Sequence, residues 1–176
     1  VFPGVLAPGK VHAAGPGMSA SSTWNISESK FPAHGSSRQK LEFALKYARL
    51  APTDDHWQPW YFRISDSHLE LMIKRAPALE AVDPDRREMI IGCGAALLYL
   101  KLALKHFGCL GRVALFPNLG EPALVAKIDC GFGGEREPQE GHLFQAMTRS
   151  RWNDSPLGET PVSEDILAAL GHEIGR

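Results

Sequence analysis

Two short stretches of this chain gather the residue types that do chemistry. The first is Ala51-Pro52-Thr53-Asp54-Asp55-His56-Trp57-Gln58-Pro59-Trp60. It offers a hydroxyl, two carboxylates, an imidazole and several backbone N–H groups, all able to hydrogen-bond a bound molecule. The plainer reading has Thr53 and the acids satisfying turn amides, His56 as a surface imidazole, and Trp57 and Trp60 as core or interface anchors. The second stretch is Thr148-Arg149-Ser150-Arg151. Two guanidiniums beside a hydroxyl could clamp a phosphate bidentately. A solvated basic turn is the plainer account of it.

Other chemical patterns are weak. Ile90-Ile91-Gly92-Cys93-Gly94-Ala95-Ala96 can be read as a strand running into a dinucleotide-binding glycine turn. That strand would be very short, Leu97 stands where the third glycine belongs, and Asp83-Pro84 already starts a helix upstream. A tightly packed helix explains these glycines better. The Gly131–Gly134 stretch lacks a following helix to supply a dipole. His106 and Cys109 lie three apart, with nothing else spaced to complete a metal site, and no G-x-S-x-G is present. A catalytic side chain is therefore not assigned.

The positioning elements follow from periodicity. Leu41, Ala44, Leu45 and Ala48 recur at helical spacing, which predicts a helix over 38–50 with Ser37 as its N-cap. Pro52 stops it. Trp60, Phe62 and Ile64 alternate with other residues, Asp66-Ser67-His68 turns, and Leu69, Leu71 and Ile73 alternate again, which predicts a hairpin. The corner between 51 and 60 is thus held by a helix on one side and a strand on the other, a common setting for binding groups. Asp83 as cap, Pro84 at the first helical position and Asp85 in the first turn open a long helix reaching Phe107 and closed by Gly108. It is apolar nearly all round, as a central helix should be, and its 92–96 small-residue patch lets another backbone come close. Strands are expected around 112–116 and 123–130, a short helix over 139–147, and a last helix capped by Ser163 with Val162 stapled onto Leu167. So short a helix either folds back on the core or belongs with further chain.

The 176 residues suffice for one ordinary domain, and 44% hydrophobic with 22% charged residues is a globular composition. A net charge of -1 gives no general attraction to nucleic acid or anionic membrane, so any anion must be held by a local cluster. Cys93, Cys109 and Cys130 are odd in number and widely spaced, which suits reduced thiols in a cytoplasmic protein. No run reaches the roughly 18 uninterrupted apolar residues of a membrane span. Residues 1–37, rich in Gly, Pro and Ser, read as a flexible N-terminal arm, one that could wrap a partner subunit.

Three segments in order resemble one family. They are the 51–60 stretch, D-P-D-R-R-E-M-I-I-G-C-G-A-A-L from Asp83, and T-R-S-R-W-N-D-S-P-L from Thr148 with Pro161-Val162. Together they resemble the Acg-like branch of the nitroreductase family, over roughly residues 38–170. The resemblance implies an α+β fold: a mostly antiparallel sheet flanked by helices, with a long central helix. It implies FMN as cofactor, with NAD(P)H reducing the flavin and a nitroaromatic or quinone acceptor taking the electrons. By position it implies that Pro52, Thr53 and His56 contact the flavin, and that Arg149, Ser150 and Arg151 lie near its phosphate or pyrimidine edge. His56 stands where the family elbow has Asn, and Trp152 and Asp154 stand where its arginine motif has a hydroxyl and an Arg. In this frame residues 38–147 form one half. Residues 148–176 hold the arginine motif and open a second half, so a homodimer or a pairing with a C-terminal half is expected. A non-catalytic flavin-binding protein and a degenerate structural half are the alternatives.

Overall fold

The computed structural model describes residues 25–52, 58–74, 83–132, 138–149 and 161–174. Helices α1 (Ser37–Ala48), α2 (Arg87–His106), α3 (Pro138–Arg149) and α4 (Glu164–Ile174) accompany strands β1 (Trp60–Ile64), β2 (His68–Ile73), β3 (Leu110–Leu115) and β4 (Leu124–Cys130). The strands form one sheet in the order β1-β2-β4-β3, and each neighbouring pair is antiparallel. The class is α+β, as the sequence leads one to expect.

The core lies between the sheet and the packed pair α1 and α2. Leu69, Leu71 and Ile73 alternate onto the core face of β2, joined by Ala126 and Ile128 of β4. Leu41, Ala44, Tyr47 and Ala48 of α1 and Cys93, Ala96, Leu100, Ala103 and Leu104 of α2 complete it. α2 runs about 30 Å at 1.5 Å per residue. By length and composition alone it could cross a membrane, but half of its apolar stretch is buried in this core. Its remaining side departs from the all-round burial expected of it: Ile91 is 62% exposed and Leu98 49%.

Helix starts differ from expectation in informative ways. α1 is capped by Ser36, one residue earlier than Ser37. Ser36 Oγ accepts the Gln39 N–H, and Gln39 Oε1 accepts the Ser36 N–H. Only Ser36 stands three residues before a Gln, the spacing that this reciprocal cap requires. α2 begins at Arg87 and not at Pro84. Asp83 to Arg86 form a turn, Arg86 takes a left-handed conformation (φ 57°), and Asp83 Oδ2 accepts the Met89 N–H at 2.9 Å. Asp83 therefore does cap the helix, from one turn further back. At the other end Gly108 (φ 66°) donates to Lys105 O and Cys109 to Leu104 O, the paired bonds of a glycine C-terminal cap.

The arm expected over 1–37 is docked in its described part. Phe31 stacks on Phe107 at 4.1 Å and meets the edge of Phe43 at 5.5 Å, while Glu28 bonds His106 Nε2 at 2.8 Å. Phe31 inserted into a cluster of Phe43, Tyr47, Phe107 and Phe144, with Ile26 also packed on the core, holds the segment without any repeating pattern. α4 does not fold back on the core: Ile166, Leu167 and Leu170 are each more than half exposed, and so is Val162.

Candidate functional site

The corner between α1 and β1 is pinned at both ends. Gln58 Nε2 donates to Arg49 O at 3.1 Å, so the start of β1 is tied directly to the end of α1. Lys74, just past β2, extends the hairpin ladder by donating its N–H to Pro59 O at 2.8 Å. Its side chain then folds over the corner, and Nζ donates to Gln58 O at 2.9 Å. From below, α2 supports Pro59 and Trp60 at Gly92. A Cβ there would sit 3.2 Å from Pro59 Cγ and 3.4 Å from Trp60 Cζ3. The small-residue patch of α2 thus admits a proline and a tryptophan at Gly92, while Gly94 faces open space. Trp60 is a core anchor, 3% exposed.

Of the residues picked out in this corner, Pro52 is exposed immediately after the buried pair Leu50 and Ala51. Thr53 and His56 lie outside the described residues, as do Asp54, Asp55 and Trp57. In the arginine stretch, Arg149 is the exposed last residue of α3, a helix anchored by buried Phe144 and Met147. Ser150 and Arg151 lie outside the described residues. Tyr47 and Phe144 meet at 5.0 Å, so α1 and α3 share one aromatic cluster. No hydrogen bond or ion pair among the described residues joins Arg149 to the corner.

Lys74 is the residue that sequence reasoning missed. Burial pushes its ammonium below the usual lysine range. Among the described residues no carboxylate pairs with it, and one of its three N–H donors is used on Gln58 O. The described part of the corner therefore carries a partly desolvated ammonium at Lys74, suited to an electron-rich carbonyl edge or an anion. The available signal was its place directly after the last core residue of the hairpin, where the register sets it beside Pro59. Among the described residues no group of three or more His, Cys, Asp or Glu side chains comes together as a metal site.

The fold is thus a helix-supported antiparallel sheet with a corner braced by Gln58 and Lys74. No family model matches the chain. Among curated proteins, it is 31% identical over 123 residues to the "Putative NAD(P)H nitroreductase acg" of Mycobacterium tuberculosis, which covers 69% of this chain and 37% of that protein. It is 34% identical over 95 residues to the "Putative NAD(P)H nitroreductase Rv3131" of the same organism, covering 54% of this chain and 28% of the relative. It is 38% identical over 72 residues to the "Probable NAD(P)H nitroreductase PigM" of a Serratia species, covering 40% and 20%. The chain belongs to the nitroreductase family, on its Acg-like branch. It spans about a third of the length of the relative first named, and less of the other two.

Proposed function

We propose that this chain forms one half of an FMN-dependent NAD(P)H oxidoreductase of nitroreductase type, with a nitroaromatic or quinone as electron acceptor. The observation that carries this reading is the braced corner, in which Lys74 and Gln58 hold a positive charge and a fixed backbone against α1, β1 and α2. Its donor set fits the polar edge of a flavin, whose electronics are tuned by charge near the ring. FMN when bound would supply the hydride chemistry. Lys74 would face its polar edge, Pro52, Thr53 and His56 would line the loop against the ring, and Arg149, Ser150 and Arg151 would serve the phosphate. Rigid supports on three sides keep the loop's two ends at a fixed separation, which is what positions a planar ligand.

The apolar surfaces left open support pairing. Ile90, Ile91 and Leu98 on α2, and Ile166, Leu167 and Leu170 on α4, face no cover among the described residues. A second copy of this chain or a complementary half would bury them, with a nitroreductase-like two-half sheet-and-helix architecture as the result.

The test is the visible absorbance of the purified chain before and after incubation with FMN, read again after gel filtration. A retained flavin band, bleached by NAD(P)H and restored by a quinone, is expected. A band that resists NAD(P)H would leave a flavin-binding protein without turnover. A colourless protein would overturn the cofactor reading. Light scattering on the same sample should give the mass of two chains.

A further inference from the structure

The three cysteines that look unrelated in sequence are not equivalent in space. Cys109 follows the cap of α2 and Cys130 ends β4. Leu110 pairs with Cys130 across the β3–β4 ladder, and the Gly131 N–H donates to Cys109 O at 3.0 Å. Cys109 thus lies across from Gly131 and one residue off Cys130. Opposed antiparallel residues stand about 4.5–5.5 Å apart at Cα, and the next residue along remains within the roughly 4.4–6.8 Å that a disulfide spans. The strands are pressed together at this point. A Cβ on Gly111 would meet Asp129 O at 2.7 Å, and one on Gly131 would meet Gly111 Cα at 3.0 Å. Both cysteines pack on the same core cluster, and the nearness of Cys130 adds to the upward shift of the Cys109 thiol.

We propose that Cys109 and Cys130 are a peroxide-responsive dithiol that closes to a disulfide between the start of β3 and the end of β4, with Cys130 as the entry point. Cys130 is half-buried and reachable, whereas Cys109 is 3% exposed and Cys93, on α2, is fully buried. Burial, and after it the neighbouring Cys130, pushes the Cys109 thiol up to about 12, so it remains a protonated partner and not the first nucleophile. The Cys130 sulfur attacks one oxygen of hydrogen peroxide as its S–H proton is released, the O–O bond breaks, and the departing hydroxide takes up that proton, leaving a sulfenic acid and one water. The Cys109 sulfur then displaces the sulfenic hydroxyl, and its proton leaves with that hydroxyl as a second water. Two thiols and one peroxide become one disulfide and two waters, with two electrons passing from sulfur to oxygen.

The test needs no variant to fold. The reduced full chain is treated with hydrogen peroxide, alkylated under denaturing conditions, digested and mapped by mass spectrometry. A Cys109–Cys130 peptide pair lighter by two hydrogens, with Cys93 alkylated and the link reversed by dithiothreitol, is expected. The oxidised chain should also run as a monomer on a denaturing non-reducing gel. Cys130 recovered as sulfinic or sulfonic acid beside alkylated Cys109 would overturn the proposal. So would a Cys130 link between two chains, or a map in which all three cysteines remain alkylated. This inference stands apart from the flavin reading, since it requires no cofactor.

Discussion

Lys74 Nζ donates to Gln58 O at 2.9 Å, while Gln58 Nε2 donates to Arg49 O at 3.1 Å. One lysine and one glutamine thereby couple the ends of β2, β1 and α1 around the candidate cofactor loop. Replacing Lys74 with Met keeps its apolar stem and removes the charge. We expect FMN affinity to fall at least about tenfold, since a hydrogen bond to a charged group contributes about 1.5–3 kcal/mol. Flavin fluorescence titration reads this directly. Because burial lowers the Lys74 pKa, binding should also weaken on the alkaline side before an ordinary lysine would deprotonate. Unchanged affinity with a lowered thermal midpoint would make Lys74 a structural brace only.

The arginine stretch is tested by comparing two ligands. Arg149→Ala with Arg151→Ala should lower FMN affinity well beyond tenfold, at about 1.5–3 kcal/mol for each charge-assisted bond. Riboflavin, which has no phosphate, should bind the double variant as it binds the parent chain. An equal loss for both ligands would move these arginines away from the phosphate.

Gly92 and Gly94 share a helix but not an environment. Ala is favoured over Gly in a helix interior by roughly 0.5–1 kcal/mol. Gly94→Ala, with nothing within 4 Å of its Cβ, should gain that amount in denaturant unfolding. Gly92→Ala should forfeit the gain, because its methyl would crowd Pro59 Cγ at 3.2 Å. Equal stabilisation by both would mean that the corner is not seated on α2 as described.

Alkaline pH should unfold this protein through its buried acids. Burial pushes the Tyr47 hydroxyl, with a smaller contribution from Glu28, up to about 12, and burial pushes the Cys93 thiol up to about 12. Their stabilising effect is complete below the ordinary values of 10.0 and 9.0, where both states are protonated. Above those values only the unfolded chain loses protons, so stability falls by roughly 1.4 kcal/mol per pH unit for each group until the folded group also ionises. Tyr47→Phe should remove one share of this slope. It should also stabilise the protein at neutral pH by about 1 kcal/mol, since the buried hydroxyl has no hydrogen-bond partner among the described residues. Denaturant midpoints at pH 8 and pH 11 measure both effects, and a slope unaltered in the variant would count against Tyr47.

Elements with a clear period were legible in the sequence. Leu69, Leu71 and Ile73 announce β2, and the apolar run after Met89 announces α2. What depends on pairing register was not legible. Nothing local says that Lys74 lies beside Pro59, or that Cys109 lies across from Gly131, because both follow from which strands meet and with what offset. Caps fell between these cases. Ser36 and Gln39 carry their own spacing signal, whereas Asp83 reaches Met89 only because Arg86 takes a left-handed turn. The loop chemistry was read by resemblance, and its contacts rest on Thr53, His56, Ser150 and Arg151, which lie outside the described residues.

The docking of Phe31 changes where this folding unit begins. A boundary drawn at Arg38, where the helical period is first read, keeps every strand and α2 to α4 but removes the Ser36 cap and the first residue of α1. It would nonetheless strip a ring from between Phe43 and Phe107 and expose both to water. It would also leave His106 without the Glu28 carboxylate. A shortened chain of that kind would carry a sticky aromatic notch at one end of α2, so precipitation of such a truncation would report on lost packing and not on a failure of the sheet to form.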